Sequence, residues 1–78
     1  MTDTTIGYYR KKANISQQKM ATELKIPRTT MSFYETKREY PTIQIAEKIA
    51  EILGVPIGRL YSEAELNLII FRSNHAQI

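Results

Sequence analysis

The sequence predicts an all-α fold of short helices. Three observations carry that expectation: apolar residues recur three and four positions apart in successive segments, capping residues and prolines separate those segments, and strand-like alternation is confined to one stretch near the C-terminus. At 78 residues the chain is about half an ordinary domain. It is therefore at most one domain with a small core, stabilised by packing within the chain or across a dimer interface.

The first helix is expected from about Thr5 to Ala13, where Ile6, Tyr9, Arg10 and Ala13 share a face. Asn14 and Ile15 end it. Ser16 reads as an N-cap whose hydroxyl can accept an otherwise unpaired backbone N–H, and Gln17 to Leu24 follow with Met20, Ala21 and Leu24 as the apolar stripe. Pro27 cannot lie inside a helix but suits its start, which places a third helix over Arg28 to Glu35 with Met31 and Tyr34 inward. After a polar connection from Lys37 to Pro41, Thr42 can cap a fourth helix. Its apolar positions, Ile45, Ala46, Ile49, Ala50, Ile52 and Leu53, follow the helical period, and Gly54 stops it. Val55, Pro56, Ile57, Leu60 and Tyr61 form a short fifth turn. Ser62 with Glu65 three residues later is a capping-box pattern, which predicts a sixth helix from Glu63 to about Arg72. Leu66, Leu68 and Ile70 also alternate as a strand does, so period alone leaves this extension helical or extended.

Composition narrows the function classes. Apolar residues are 42% of the chain and charged residues 24%, ordinary values that fit neither wholesale disorder nor a fibrous repeat. Cysteine is absent, which removes disulfides and thiolate metal sites and suits a reducing compartment. The longest apolar run, Leu68 to Phe71, is far too short to cross a bilayer, and the N-terminus carries no apolar signal segment. A cytoplasmic protein with no membrane partner is expected. The only histidine is His75 and the only aspartate Asp3, at opposite ends of the chain, and no H-E-x-x-H or phosphate-cradling glycine loop is present. No catalytic residues, metal site or cofactor are expected.

Charge is unevenly placed. Residues 1–38 hold eight Lys/Arg against three acids, a net +5, whereas residues 39–78 hold three against five, a net −2. The N-terminal half is thus the part suited to a polyanion, although solvated helices also carry Lys for solubility.

Two short helices, Gln17 to Leu24 and Arg28 to Glu35, separated by about three residues, have the dimensions of a helix-turn-helix, whose second helix enters the DNA major groove. Residue identities sharpen this: Arg10 in the first helix; Ser16-Gln17-Gln18-Lys19-Met20-Ala21; Ile26-Pro27-Arg28-Thr29-Thr30-Met31-Ser32-Phe33-Tyr34-Glu35; Pro41; and Ile49-Ala50-Glu51-Ile52-Leu53-Gly54-Val55. Over roughly residues 5–61 the chain resembles the phage-repressor, Cro and Xre-like helix-turn-helix domains. The resemblance implies a five-helix, lambda-repressor-like DNA-binding domain over residues 1–61, with residues 62–78 as a C-terminal helical or strand extension.

By the same resemblance, Arg28, Thr29, Ser32 and Phe33 are the base-reading positions of the recognition helix. Arg28 can bond guanine O6 and N7 together or contact phosphate alone; Thr29 can offer a methyl to thymine or a hydroxyl to a base or phosphate. Phe33 stands where a polar residue is more usual. Its ring either meets thymine methyls or packs against Lys37 or the following loop. Gln17 at the start of the second helix, with Gln18, Lys19, Thr30, Lys37, Arg38 and Tyr40, is expected at phosphates, because a helix N-terminus and exposed cations both suit an anion. Arg10 and Glu35 are expected to form a structural ion pair tying the first helix to the end of the third. Lys25 and Lys37 stand where many relatives have Gly, and a left-handed backbone there costs about 1 kcal/mol. Pro27 replaces the usual Ser or Thr cap.

The function expected is a sequence-specific transcriptional regulator, a small phage- or mobile-element-type repressor that binds a two-fold operator in double-stranded DNA as a homodimer. One such module reads few bases, and two half-sites about one turn of DNA apart supply the specificity. Leu66, Ile69 and Ile70 are the candidate dimer interface, with Leu68 or Phe71 at its margin. The alternative is an interaction module, an antitoxin or modulator of another regulatory protein, with little DNA binding of its own.

Overall fold

Capping chemistry opens and closes nearly every element in the computed structural model, which describes residues 5–75. The order is α1 (Thr5–Lys12), α2 (Gln17–Leu24), α3 (Arg28–Glu35), α4 (Ile43–Leu53), a 3-10 turn over Ile57–Arg59, and α5 (Glu63–His75). The described residues contain five α-helices and no strand, an architecture compatible with a lambda-repressor-like helix-turn-helix domain. The fifth segment read from the sequence is a single 3-10 turn. The extension after Ser62 is helical throughout its described part, which settles the helix-or-strand alternative. Asp3 and residues 76–78 of the expected extension lie outside the described residues.

The chain groups into two compact units, Met1–Tyr40 and Pro41–Ile78. In the first, α3 packs on both α2 and α1. Its buried apolar residues are Ile6 from α1, Met20, Ala21 and Leu24 from α2, and Met31 and Tyr34 from α3. Full burial of side chains such as Met20 or Met31 contributes about 1.5–3 kcal/mol each. Ser16 opens α2 by accepting the Lys19 N–H at 3.0 Å. Pro27 opens α3 with backbone angles of −65° and 150° and no side-chain cap, consistent with its fixed φ.

In the second unit α4 packs on α5 and on the 3-10 turn. Ala46, Ile49, Ala50, Leu60, Tyr61 and Ile69 are buried. Two hydroxyls serve the start of α4: Thr42 Oγ1 accepts the Ile45 N–H at 3.3 Å, and Ser73 Oγ, from the far end of α5, accepts the Ile43 N–H at 2.9 Å. The capping box at α5 is complete. Ser62 N–H donates to Glu65 Oε1 at 2.8 Å, and Glu65 N–H donates to Ser62 Oγ at 3.1 Å, so two otherwise unpaired donors are satisfied reciprocally.

The ends of α1 to α4 share one device. A residue in the left-handed region follows each: Asn14 (φ 60°), Lys25 (φ 59°), Lys37 (φ 60°) and Gly54 (φ 70°). The next N–H reaches back to close a Schellman motif, from Ile15 to the Arg10 carbonyl at 3.1 Å, Ile26 to Ala21 at 3.0 Å, Arg38 to Phe33 at 3.0 Å, and Val55 to Ala50 at 3.1 Å. Only one of the four turns uses glycine. The two lysines hold a backbone conformation that costs an L-residue roughly 1 kcal/mol, and the paired helix-terminal hydrogen bonds offset it.

Replacing Lys25 by Gly removes the strain and keeps the turn. Because glycine also enlarges the freedom of the unfolded chain, a net gain of about 0.5 kcal/mol is expected, read as a rise of a few degrees in the thermal midpoint.

Candidate nucleic-acid interface

The site begins with a buried ion pair. Arg10, near the C-terminal end of α1, and Glu35, the last residue of α3, are 8% and 6% exposed. Arg10 Nε and Glu35 Oε2 are in direct contact, Arg10 Nη2 donates to Glu35 Oε1 at 3.3 Å, and Arg10 Nη1 donates to the Ile15 carbonyl at 2.8 Å. Gln17, the first residue of α2, adds a third helix: its Nε2 donates to Glu35 Oε1 at 3.1 Å. One carboxylate therefore fixes the end of α3, the end of α1 and the start of α2. Gln17, expected at a phosphate, commits one of its two amide N–H groups to Glu35. The spacing of Gln17 and Glu35 gave no signal of that contact.

Holding α2 and α3 in this way sets the face that α3 turns outward. Met31, Tyr34 and Glu35 are buried, while Arg28 and Thr29 are exposed and Thr30, Ser32 and Phe33 are partly exposed. Arg28, Thr29 and Ser32 thus share the outward side of the first two turns. Thr36, which sequence reasoning passed over, continues that side one turn on; its hydroxyl donates to the Ser32 carbonyl at 3.0 Å. On α2, Gln18 and Lys19 are exposed, with Gln18 Nε2 3.3 Å from Thr22 Oγ1.

The loop after α3 carries two cation–aromatic pairs. The Arg38 guanidinium carbon lies 5.3 Å from the centre of the Phe33 ring, and Lys37 Nζ lies 6.0 Å from the centre of the Tyr40 ring, both within the range of cation–π attraction. Of the two expectations for Phe33, packing against the following loop is the arrangement present, with Arg38 as its neighbour. Burial pushes the Tyr34 phenol above its ordinary pKa of 10.0, and the Glu39 carboxylate adds to the shift. A third such pair sits on α1, where Lys12 Nζ lies 5.6 Å from the ring of the half-exposed Tyr8, which meets Tyr9 edge-on at 5.1 Å. Its i, i+4 spacing was the available signal for it.

The expected dimer residues need correction. Ile69 is fully buried within its own chain. The helix turns Ile69 and Ser73 toward the core, and the residues left outside are Leu68 (42% exposed), Ile70 (45%) and Phe71 (58%), with Leu66 intermediate. Among the described residues, no group of three or more His, Cys, Asp or Glu could hold a metal ion, and no helix is long and apolar enough to cross a membrane.

Two eight-residue helices joined by a tight left-handed turn, the second exposing a polar face with Arg28 at its start, define a helix-turn-helix module. The Helix-turn-helix family matches this chain over residues 6–60. The chain belongs to that family and is of its phage-repressor and Xre type. It is similar to the cryptic phage CTXphi transcriptional repressor RstR of Vibrio cholerae, at 29% identity over 68 residues. That match covers 87% of this chain and 61% of the repressor, so the chain corresponds to less than two thirds of that relative's length.

Truncating Arg10 to Ala leaves the Glu35 carboxylate buried without its cation, and a loss of about 3–5 kcal/mol is expected in denaturant unfolding. Gln17→Ala, which leaves the ion pair in place, is expected to cost only about 1 kcal/mol. Equal losses for the two variants would show that the carboxylate is not organised around Arg10.

Proposed function

We propose that this protein is a sequence-specific DNA-binding transcriptional regulator, a small repressor of the phage or mobile-element kind acting in the cytoplasm. Residues 1–61 form its DNA-binding module, and residues 62–78 are an extension that contributes to dimerisation. The observation that carries this reading is the outward side of α3: an unpaired helix start bearing exposed Arg28 and Thr29, with Ser32 one turn on and the Lys37–Arg38 loop at the other end. Arg28 would read a guanine through its two-pronged donor set, and Thr29 and Ser32 would contact neighbouring base edges. Gln18, Lys19, Thr30, Lys37, Arg38 and Tyr40, together with the N–H groups at the start of α2, would meet phosphates. Family membership and the repressor relative support the same function.

The partner copy would dock on α5 through Leu68, Ile70 and Phe71, which are the large apolar residues that helix leaves exposed. That same surface favours a second reading, in which the main partner is another regulatory protein, as for an antitoxin or a repressor modulator. Both readings need the surface; only the first needs duplex DNA.

Selection of bound duplexes from a random pool, using the pure protein, is expected to return a two-fold sequence whose binding weakens steeply with salt. Arg28→Ala should cost about 1–3 kcal/mol on that duplex and relax preference at a single base pair of each half-site. Absence of any enriched sequence at low salt would sink the regulator reading. In sedimentation, Leu68→Glu is expected to shift the protein toward monomer. An unchanged mass for wild type and variant would remove α5 as the dimer element.

A further inference from the structure

We propose that Phe33 serves nucleic-acid binding through Arg38: its ring holds the guanidinium in a preset position for a phosphate, so that Phe33 is a positioning residue and not a base reader. The proposal rests on the DNA-binding reading above. It begins in the backbone. Lys37 takes the left-handed conformation, φ 60°, and the chain folds back so that both the Arg38 N–H, at 3.0 Å, and the Glu39 N–H, at 3.3 Å, donate to the Phe33 carbonyl. That turn sets Arg38 beside the side chain of the residue whose carbonyl it uses. The guanidinium carbon comes to rest 5.3 Å from the ring centre.

Cation–π attraction uses no lone-pair acceptor, so a ring beside a guanidinium leaves it able to make ordinary N–H···O bonds to an oxyanion. Among the described residues, no carboxylate lies within ion-pair distance of Arg38. Its donors are thus oriented by contact with the ring and are not consumed. An arginine that binds phosphate from a free rotamer distribution must give up that freedom on binding; one already confined by a ring and a closed turn gives up less. The arrangement also accounts for an aromatic residue on the recognition helix, where full exposure of the ring would forgo its burial. Phosphates occur at every nucleotide, so a contact made through Arg38 carries affinity without sequence preference.

The test uses the full chain, the duplex selected above and a shuffled duplex of the same length, each titrated over salt. Arg38→Gln is expected to weaken both duplexes by the same factor and to make the log–log salt slope shallower by about one. Phe33→Leu, which keeps apolar bulk but removes the ring, should weaken both equally and add no further loss in the Arg38→Gln background. Phe33→Tyr should restore wild-type binding. In the free protein, the Arg38 side-chain protons should show a ring-current shift that Phe33→Leu abolishes, with the rest of the amide spectrum retaining native dispersion.

The proposal is overturned if Phe33→Leu alters discrimination at particular A·T pairs, if its loss adds to that of Arg38→Gln, or if no ring-current shift is present. Any of those results leaves the DNA-binding reading intact, because wild-type binding and the Arg28 effect are measured separately. Wild-type protein that binds neither duplex overturns both.

Discussion

The Glu35 carboxylate is where the first compact unit is organised: at 6% exposure it is almost out of water, and it receives donors from Arg10 and Gln17. Removing a carboxylate and a guanidinium from water costs several kcal/mol per ion, which attraction alone barely returns. Hydrogen bonds decide whether the arrangement is favourable, and here the fork of Arg10 has the needed shape. Two of its nitrogens face the carboxylate and the third reaches the Ile15 carbonyl. A lysine could not make all three contacts, since its ammonium is a point charge with no planar spread. The contribution of such a pair is geometric more than energetic. It accepts one relative placement of α1, α2 and α3, and that placement determines which side of α3 faces outward.

The helix ends work to the same purpose. Helices of eight to eleven residues are too short to be stable alone, so each must stop where its packing partner requires. The repeated Schellman closure achieves this at Asn14, Lys25, Lys37 and Gly54. Two lysines at left-handed positions are an expense that glycine would avoid. What lysine offers instead is charge at exposed or partly exposed turns within the basic part of the chain, which on the proposed reading would add to the attraction for a polyanion.

Much of this was legible in the sequence because it depends on local rules. Ser16, Thr42 and the Ser62–Glu65 box cap the helices they were expected to cap; Pro27 starts a helix without capping it. The Arg10–Glu35 pair was legible through resemblance, since two charges on otherwise apolar faces need each other. What escaped depends on contacts distant in the chain or on small rotations of a helix. Gln17 bonding Glu35 and Ser73 capping α4 each join residues far apart in sequence, and no spacing rule reports them. Ile69, expected at the dimer surface, is buried; the run Leu68-Ile69-Ile70-Phe71 spans a full helical turn and puts an apolar residue on every side. Period cannot choose its inner face, and a rotation of one residue exchanges Ile69 for Leu68 or Ile70.

Burial also changes how the charge of the chain is understood. Residues 1–38 carry a net +5, but the Arg10–Glu35 pair adds zero to that sum and lies inside, so the whole excess belongs to the other side chains of the segment. Several of these do not stand free. Arg38 rests against Phe33, Lys37 near Tyr40, and Lys12 near Tyr8. Contact with a ring restrains a cation without neutralising it, because the ring quadrupole attracts the charge but carries no net charge of its own. On the proposed DNA-binding reading, the positive field of the segment would keep its strength, and Lys37 and Arg38 would lose less freedom on meeting a phosphate because their rings already confine them. Net charge alone carries none of this, because it counts a buried pair, a ring-confined arginine and a freely moving lysine alike.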